Sequence, residues 1–269
     1  GLDLVAKVLI DTGSRVLVET PTYLGALQAF TPMEPQVAAV ASDDEGVVVD
    51  ELPAKVGIGA DKARFLYVLP NFQNPSGRTM SEARRAALVE QAAALDLPLI
   101  EDNPYGDLWF DNPPPRPLTA RNPEGCIYMG SFSKVLAPGL RLGYLVAPKA
   151  VYPKLLQAKQ AADLHTPGFN QRVAYEVIRA GLLDTHLPMV RAMYKAQRDA
   201  MRDAGDLGFG PKLTGSILEL SGLLDDASAT SASTAPGDIL IGLLDKTGYL
   251  KGLRATGDAQ DEARAENLE

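Results

Sequence analysis

The chain is short of the residues that cross-link small proteins or bind metals. It has a single cysteine, Cys126, among 269 residues. That excludes an internal disulfide framework and any cysteine-rich zinc site. The two histidines, His165 and His186, have no second histidine or cysteine at metal-ligand spacing,. No apolar run reaches the ~18 residues needed to span a bilayer, so no membrane association is expected. The opening Gly1-Leu2-Asp3-Leu4-Val5-Ala6-Lys7 lacks the layout of a secretory signal, and cytoplasmic residence is the expectation,. Positive charge is also in deficit, with 26 basic against 34 acidic residues and a net charge of −8. Residues 206–269 hold 11 acidic and 5 basic groups, net −6, whereas the first 205 hold 23 and 21, net −2. A near-neutral body with an acidic tail matches a phosphate backbone poorly, so nucleic-acid binding is disfavoured. No G-x-x-x-x-G-K-[ST] motif occurs, and the glycine pair in Gly57–Lys62 lacks a third glycine and follows no strand-like run,.

What remains is the composition of a globular protein with a sizeable core, 46% hydrophobic and 22% charged,. Short β-branched or aliphatic runs occur at Arg15–Glu19, Arg64–Leu69, Leu97–Glu101, Cys126–Met129 and Arg141–Ala147. Between them lie Ala/Leu/Glu-rich stretches such as Glu82–Leu95, with apolar residues at helical spacing. This alternation predicts a three-layer α/β/α fold with a mostly parallel sheet. Asn170–Ala204 predicts a long helical stretch broken near Leu182–Pro188, where Leu187-Pro188 reads as a helix restart and His186 as a helix start. Asp225–Gly237 is a Ser/Ala/Thr tract that reads as a linker. Tyr249–Glu269 is polar and reads as partly helical. A boundary is placed near 205–208, separating a domain of residues 1–205 from an ill-defined tail of residues 206–269.

In a mostly parallel sheet, ligands collect beyond the carboxyl ends of the strands. Polar clusters stand at those places. Pro21-Thr22-Tyr23 follows the first run, and Pro70-Asn71-Phe72-Gln73-Asn74-Pro75-Ser76-Gly77 follows the second. Asp102-Asn103-Pro104-Tyr105 closes the third, while Gly130-Ser131-Phe132-Ser133-Lys134 and Pro138-Gly139-Leu140-Arg141 follow the fourth. Each alone is also an ordinary turn, helix cap or chance pair; their order and spacing distinguish them. Cys126 reads as an inert thiol inside a strand, and Trp109 and Phe110 as packing residues.

The stretches Glu19–Phe30, Leu69–Ser81, Ile100–Phe110, Gly130–Tyr144 and Lys159–Gln171 together resemble the class I/II aminotransferases of fold type I, most closely the 2-aminoadipate or broad-specificity branch. The resemblance covers about residues 1–205 and implies the large domain of a pyridoxal 5'-phosphate (PLP) enzyme. It implies that Lys134 anchors the cofactor aldehyde and shuttles the substrate's α-proton. Ser131, Ser133 and Arg141 would hold the phosphate. Asp102 would keep the ring nitrogen protonated, Asn74 and Tyr105 would bond the phenolic oxygen, and Tyr23 would stack on the ring. The implied reaction moves an amino group from an L-amino acid (2-aminoadipate, aromatic or branched-chain) to a 2-oxo acid such as 2-oxoglutarate, in a homodimer.

The family also has an N-terminal arm, a glycine/serine phosphate loop and a small domain with a carboxylate-clamping arginine. None is recognised in this chain; Arg254 and Arg264 lack the clamp's context. The expectation is therefore that the 269-residue chain binds PLP weakly and turns over at least ~100-fold below an intact relative. Residues 210–269, most clearly Leu243–Leu250 and Glu262–Glu269, resemble part of an accessory domain of superfamily 1 DNA helicases; a diverged small domain is the other reading. Two further functional readings stand beside the enzyme. One is an aminotransferase-like effector domain of a winged-helix transcriptional regulator, and the other is an inactive fragment.

Overall fold

The computed structural model describes residues 1–203, 210–230, 234, 236–256, 261, 262 and 265. Gly1–Met193 forms one compact unit and Tyr194–Glu269 a second.

The first unit is built on seven strands: β1 (Arg15–Thr20), β2 (Gln36–Asp43), β3 (Gly46–Val47), β4 (Leu66–Val68), β5 (Leu99–Asp102), β6 (Cys126–Ser131) and β7 (Gly143–Val146). They make one sheet in the order β3-β2-β1-β4-β5-β6-β7. The five strands from β2 to β6 run parallel, and β3 and β7 close the two edges antiparallel. From β1 the chain steps outward to β2 on one side and later resumes at β4 on the other. The strand order therefore reverses between β1 and β4, which opens a crevice at their carboxyl ends.

The helices of this unit are α1 (Leu2–Leu9), α2 (Leu24–Phe30), α3 (Leu52–Lys55), α4 (Glu82–Ala94), α5 (Phe132–Val135), α6 (Tyr152–Asp163), α7 (Gly168–Arg179) and the part of α8 (Leu182–Arg202) up to Met193. Strand side chains alternate between two faces, and here both faces are buried. Leu17, Val40, Leu66, Val68, Leu99 and Cys126 pack with Leu52 of α3 and with Leu88 and Ala92 of α4. Val16, Val18, Tyr67, Ile100, Ile127 and Met129 pack on the opposite face with Val5 and Ala6 of α1, Phe30 of α2 and Leu155 of α6. Burial on both sides explains why these strands read as continuous apolar runs. The result is the expected three-layer α/β/α arrangement.

The structure differs from the sequence reading in several places. β2 and β3 were not among the expected strands. The break between α7 and α8 falls at Ala180-Gly181, where Gly181 adopts φ +66, a left-handed stop that suits glycine. Helix α8 then starts at Leu182, so His186 and Pro188 lie inside it rather than at a restart. Pro188 gives no N–H to the carbonyl one turn earlier, a local defect the helix tolerates.

In the second unit, α9 (Pro211–Thr230), α10 (Pro236–Thr247) and α11 (Tyr249–Ala255) are helical. The expected linker is therefore helix over residues 225–230, where the hydroxyl of Thr230 bonds the Asp226 carbonyl at 3.0 Å and alanine favours the helix. Residues 231–233 and 235, the expected boundary near 205–208, Arg264 and most of Glu262–Glu269 lie outside the described residues.

Candidate active site

A cleft of about 760 Å³ opens beyond the carboxyl ends of β1, β4, β5 and β6. All eight residues singled out in the sequence line it: Tyr23, Asn74, Asp102, Tyr105, Ser131, Ser133, Lys134 and Arg141. Each stands at or just past a strand end, so a sheet of fixed spacing brings together groups up to 118 positions apart in sequence.

Tyr23 caps the start of α2, and its ring folds over Gly25, where any Cβ would overlap it. Asn74 sits in the loop after β4. That loop turns through Phe72 at φ +48 and is pinned by Gln73, whose Nε2 donates to the Pro21 carbonyl at 2.6 Å and whose Oε1 accepts from Ser76 N at 2.8 Å. Gln73 thus joins the loop of Asn74 to the segment that carries Tyr23.

Asp102 ends β5. Burial pushes its carboxyl above the usual carboxylate range, and the hydrogen bond from Tyr67 Oη, 2.8 Å from Oδ2, pulls it back down,. The Tyr67 phenol is held protonated by its own burial and by the facing Asp102 charge, so it remains a donor.

Ser131 closes β6 and caps the short helix α5, its Oγ accepting from Ser133 N at 3.1 Å. Lys134 is the third residue of that helix and is exposed to the cleft, its Nζ 5.9 Å from the centroid of the Tyr105 ring. Arg141 follows a 3₁₀ turn at Pro138–Leu140 and adopts left-handed backbone angles, φ +50 and ψ +40. A non-glycine residue in that region is uncommon and clusters at functional sites. Arg141 lines the cleft together with Ser131 and Lys134.

The arrangement separates three kinds of chemistry. One part of the lining is an amine, Lys134. A second offers a half-buried carboxylate with a phenol behind it, Asp102 and Tyr67. A third offers hydroxyls and a guanidinium suited to an anion, Ser131, Ser133 and Arg141,. Sequence reasoning missed Tyr67, Tyr144 and Lys159, the latter two also lining the cleft. Tyr144 left a faint signal: it pairs with Gly130 across β6 and β7, and its ring fills the space a Cβ at position 130 would need. The residues set aside stay outside the lining. His165 is exposed and faces the Thr166 carbonyl, and Cys126 is buried with its thiol pushed up to about 12, chiefly by burial. Trp109 stacks under Arg191. Among the described residues no cluster of His, Cys, Asp and Glu could hold a metal ion, and no helix is long and apolar enough to cross a membrane.

The family model for aminotransferase class I and II matches residues 1–213. The chain is 44% identical over 207 residues to aromatic-amino-acid aminotransferase 1 of Thermococcus litoralis, a match covering 76% of this chain and 50% of the relative. It is 37% identical to the HTH-type transcriptional regulator YisV of Bacillus subtilis, covering 77% of this chain and 43% of that protein. The crystal structure of kynurenine aminotransferase from Pyrococcus horikoshii superposes with a TM-score of 0.72 at 42% identity, covering 78% of this chain and 53% of that one. The chain thus spans about half the length of the relatives it matches. With a doubly wound sheet and matched residues that run through every strand of it, the chain belongs to the class I and II aminotransferase family.

Proposed function

We propose that the cleft binds PLP, and that the protein to which this chain belongs transfers an amino group from an L-amino acid to a 2-oxo acid. Substrates would be drawn from 2-aminoadipate, aromatic or branched-chain amino acids, with 2-oxoglutarate as an acceptor. One observation supports this reading: an amine, a half-buried carboxylate, hydroxyls and a guanidinium all line one cleft, the kinds of group that an aldehyde, a ring nitrogen and a phosphate would need.

The donor set fits the group. Ser131, Ser133 and Arg141 supply hydroxyls and a fork for a phosphate. Asp102 Oδ would hold a proton on the ring nitrogen, and the hydrogen bond from Tyr67 Oη favours its carboxylate form against the opposing effect of burial. Asn74 and Tyr105 would donate to the phenolic oxygen, and Tyr23 would cover one face of the ring. When bound, PLP supplies an electron-accepting ring conjugated to the substrate's α-carbon. Lys134 Nζ, in its neutral form, would take the aldehyde and later carry the proton to and from that carbon. Cytoplasmic residence and a homodimer belong to the same proposal.

Borohydride reduction of the chain with PLP, followed by peptide mapping, tests this directly. A cofactor-sized mass increase on the peptide containing Lys134 supports the reading; labelling spread over surface lysines instead contradicts it. The likeness to YisV favours a second reading, an effector domain that binds PLP and an amino acid in order to signal. A parent protein that binds both without releasing a 2-oxo acid would establish that reading.

A further inference from the structure

Arg85 lies on α4, on the face directed at the sheet, and is fully buried. Its hydrogen-bond partners carry no charge. Nε donates to the Met80 carbonyl at 3.0 Å, and Nη2 donates to the Pro70 carbonyl at 2.8 Å and to Asn71 Oδ1 at 2.5 Å. Asn71, itself 1% exposed, passes the chain on: its Nδ2 donates to Asn103 Oδ1 at 2.8 Å. Asn103 Nδ2 then donates to Tyr128 Oη at 2.9 Å. Tyr128 stacks on Tyr144 of the cleft wall, ring centroids 6.1 Å apart.

The direction of this chain follows from its origin. A guanidinium has donors only, so the neighbouring carboxamide must offer it oxygen and turn its NH₂ onward. The same choice is then forced on Asn103. Gly106 leaves the room: a Cβ there would overlap the Asn103 carboxamide. The chain crosses from the segment after β4 to the end of β5 and on to β6. Asn71 stands three residues before Asn74; Asn103 adjoins Asp102 and stands two before Tyr105.

We infer that Arg85 is a positioning residue for the cleft, acting through Asn71 and Asn103 to set the separation between Asn74 and the Asp102/Tyr105 pair while touching neither substrate nor cofactor. A buried cation whose hydrogen-bond acceptors are all neutral is expensive to keep; the Glu101 carboxylate offsets part of that cost through space, and the guanidinium in return orients two carboxamides. The inference rests on the PLP reading of the cleft, because the groups it spaces are those assigned to the pyridine ring.

The test uses the full chain with PLP and four variants: Arg85→Lys, Asn103→Ala, the double variant, and Val89→Ala as a control that perturbs α4 packing alone. Melting temperature, PLP affinity and the pH midpoint of the bound cofactor's visible band are read for each. Asn103→Ala and Arg85→Lys should each weaken PLP binding about tenfold and move the pH midpoint. The double variant should lose no more than the worse single one, since both cut the same chain. Val89→Ala should lower only the melting temperature. Affinity and midpoint in the Arg85 and Asn103 variants that change no more than in Val89→Ala overturn the inference, as do losses that simply add. A wild-type chain that binds no PLP overturns the cofactor reading instead. Amide exchange then still reads the clamp without cofactor: faster exchange at residues 71–77 in Asn103→Ala supports it, and unchanged exchange contradicts it.

Discussion

Tyr67 and Asp102, on neighbouring strands and 35 positions apart in sequence, share a 2.8 Å hydrogen bond that ties a core phenol to a carboxylate of the cleft lining. Burial of Asp102 favours its neutral form, and the phenol favours the carboxylate. The balance determines whether this group can hold a proton on a ring nitrogen at neutral pH.

Tyr67→Phe removes the opposing donor, so the Asp102 pKa should rise further. If the ionised form binds the cofactor, PLP affinity falls as pH drops through that pKa. The midpoint of this loss should lie at higher pH in Tyr67→Phe than in the wild type. Affinity measured across a pH series checks it; coincident curves would remove Tyr67 from the account.

Glu19 makes a different pH prediction. It is buried at the end of β1, accepts the Leu69 N–H at 2.7 Å, and burial pushes its carboxyl from 4.5 to about 8. The folded state therefore keeps a proton that the unfolded chain releases. Stability from this group is complete below pH 4.5 and is lost as pH rises towards about 8,. Glu19→Gln cannot ionise, so its stability relative to the wild type should improve over that window. Urea unfolding followed by Trp109 fluorescence gives the sign, and a constant difference between the two proteins would rule out a titrating Glu19.

Trp109, the chain's one tryptophan, also reports on the segment after Tyr105. The Arg191 guanidinium lies 4.0 Å from its ring centroid, and Arg191 Nε donates to the Asp107 carbonyl at 2.7 Å. Arg191→Ala should destabilise the first unit by about 1 kcal/mol and shift the tryptophan emission towards that of an exposed ring. An unchanged spectrum would mean that the pair does not persist in solution.

Much of the scaffold was readable from composition along the chain. β1, β4, β5 and β6 are covered on both faces, so their sequences are unbroken apolar runs, and α4 shows plain helical spacing between turn residues. The candidate site residues were readable because each stands just past such a run. β2 was not readable: of Gln36–Asp43 only Val40 is buried, and alanine and serine give it little strand character,. Pro188 was read as a start signal when Gly181 supplied the actual stop. Tyr67, Glu19 and Arg85 were missed because their partners lie 35, 50 and 14–15 positions away, and local pattern carries no register between strands. Arg85 did leave a trace, as a charge on the helix stripe of Leu88 and Ala92.

The account depends most on the amine of Lys134 bonding a PLP aldehyde inside this cleft. Absorbance titration of the 269-residue chain with PLP, beside Lys134→Ala, reads this in one experiment. The account predicts a saturable visible band in the wild type that is missing from the variant, although the variant still binds the cofactor through Ser131, Ser133 and Arg141. An equal band in both proteins would place the reactive amine elsewhere and contradict the account.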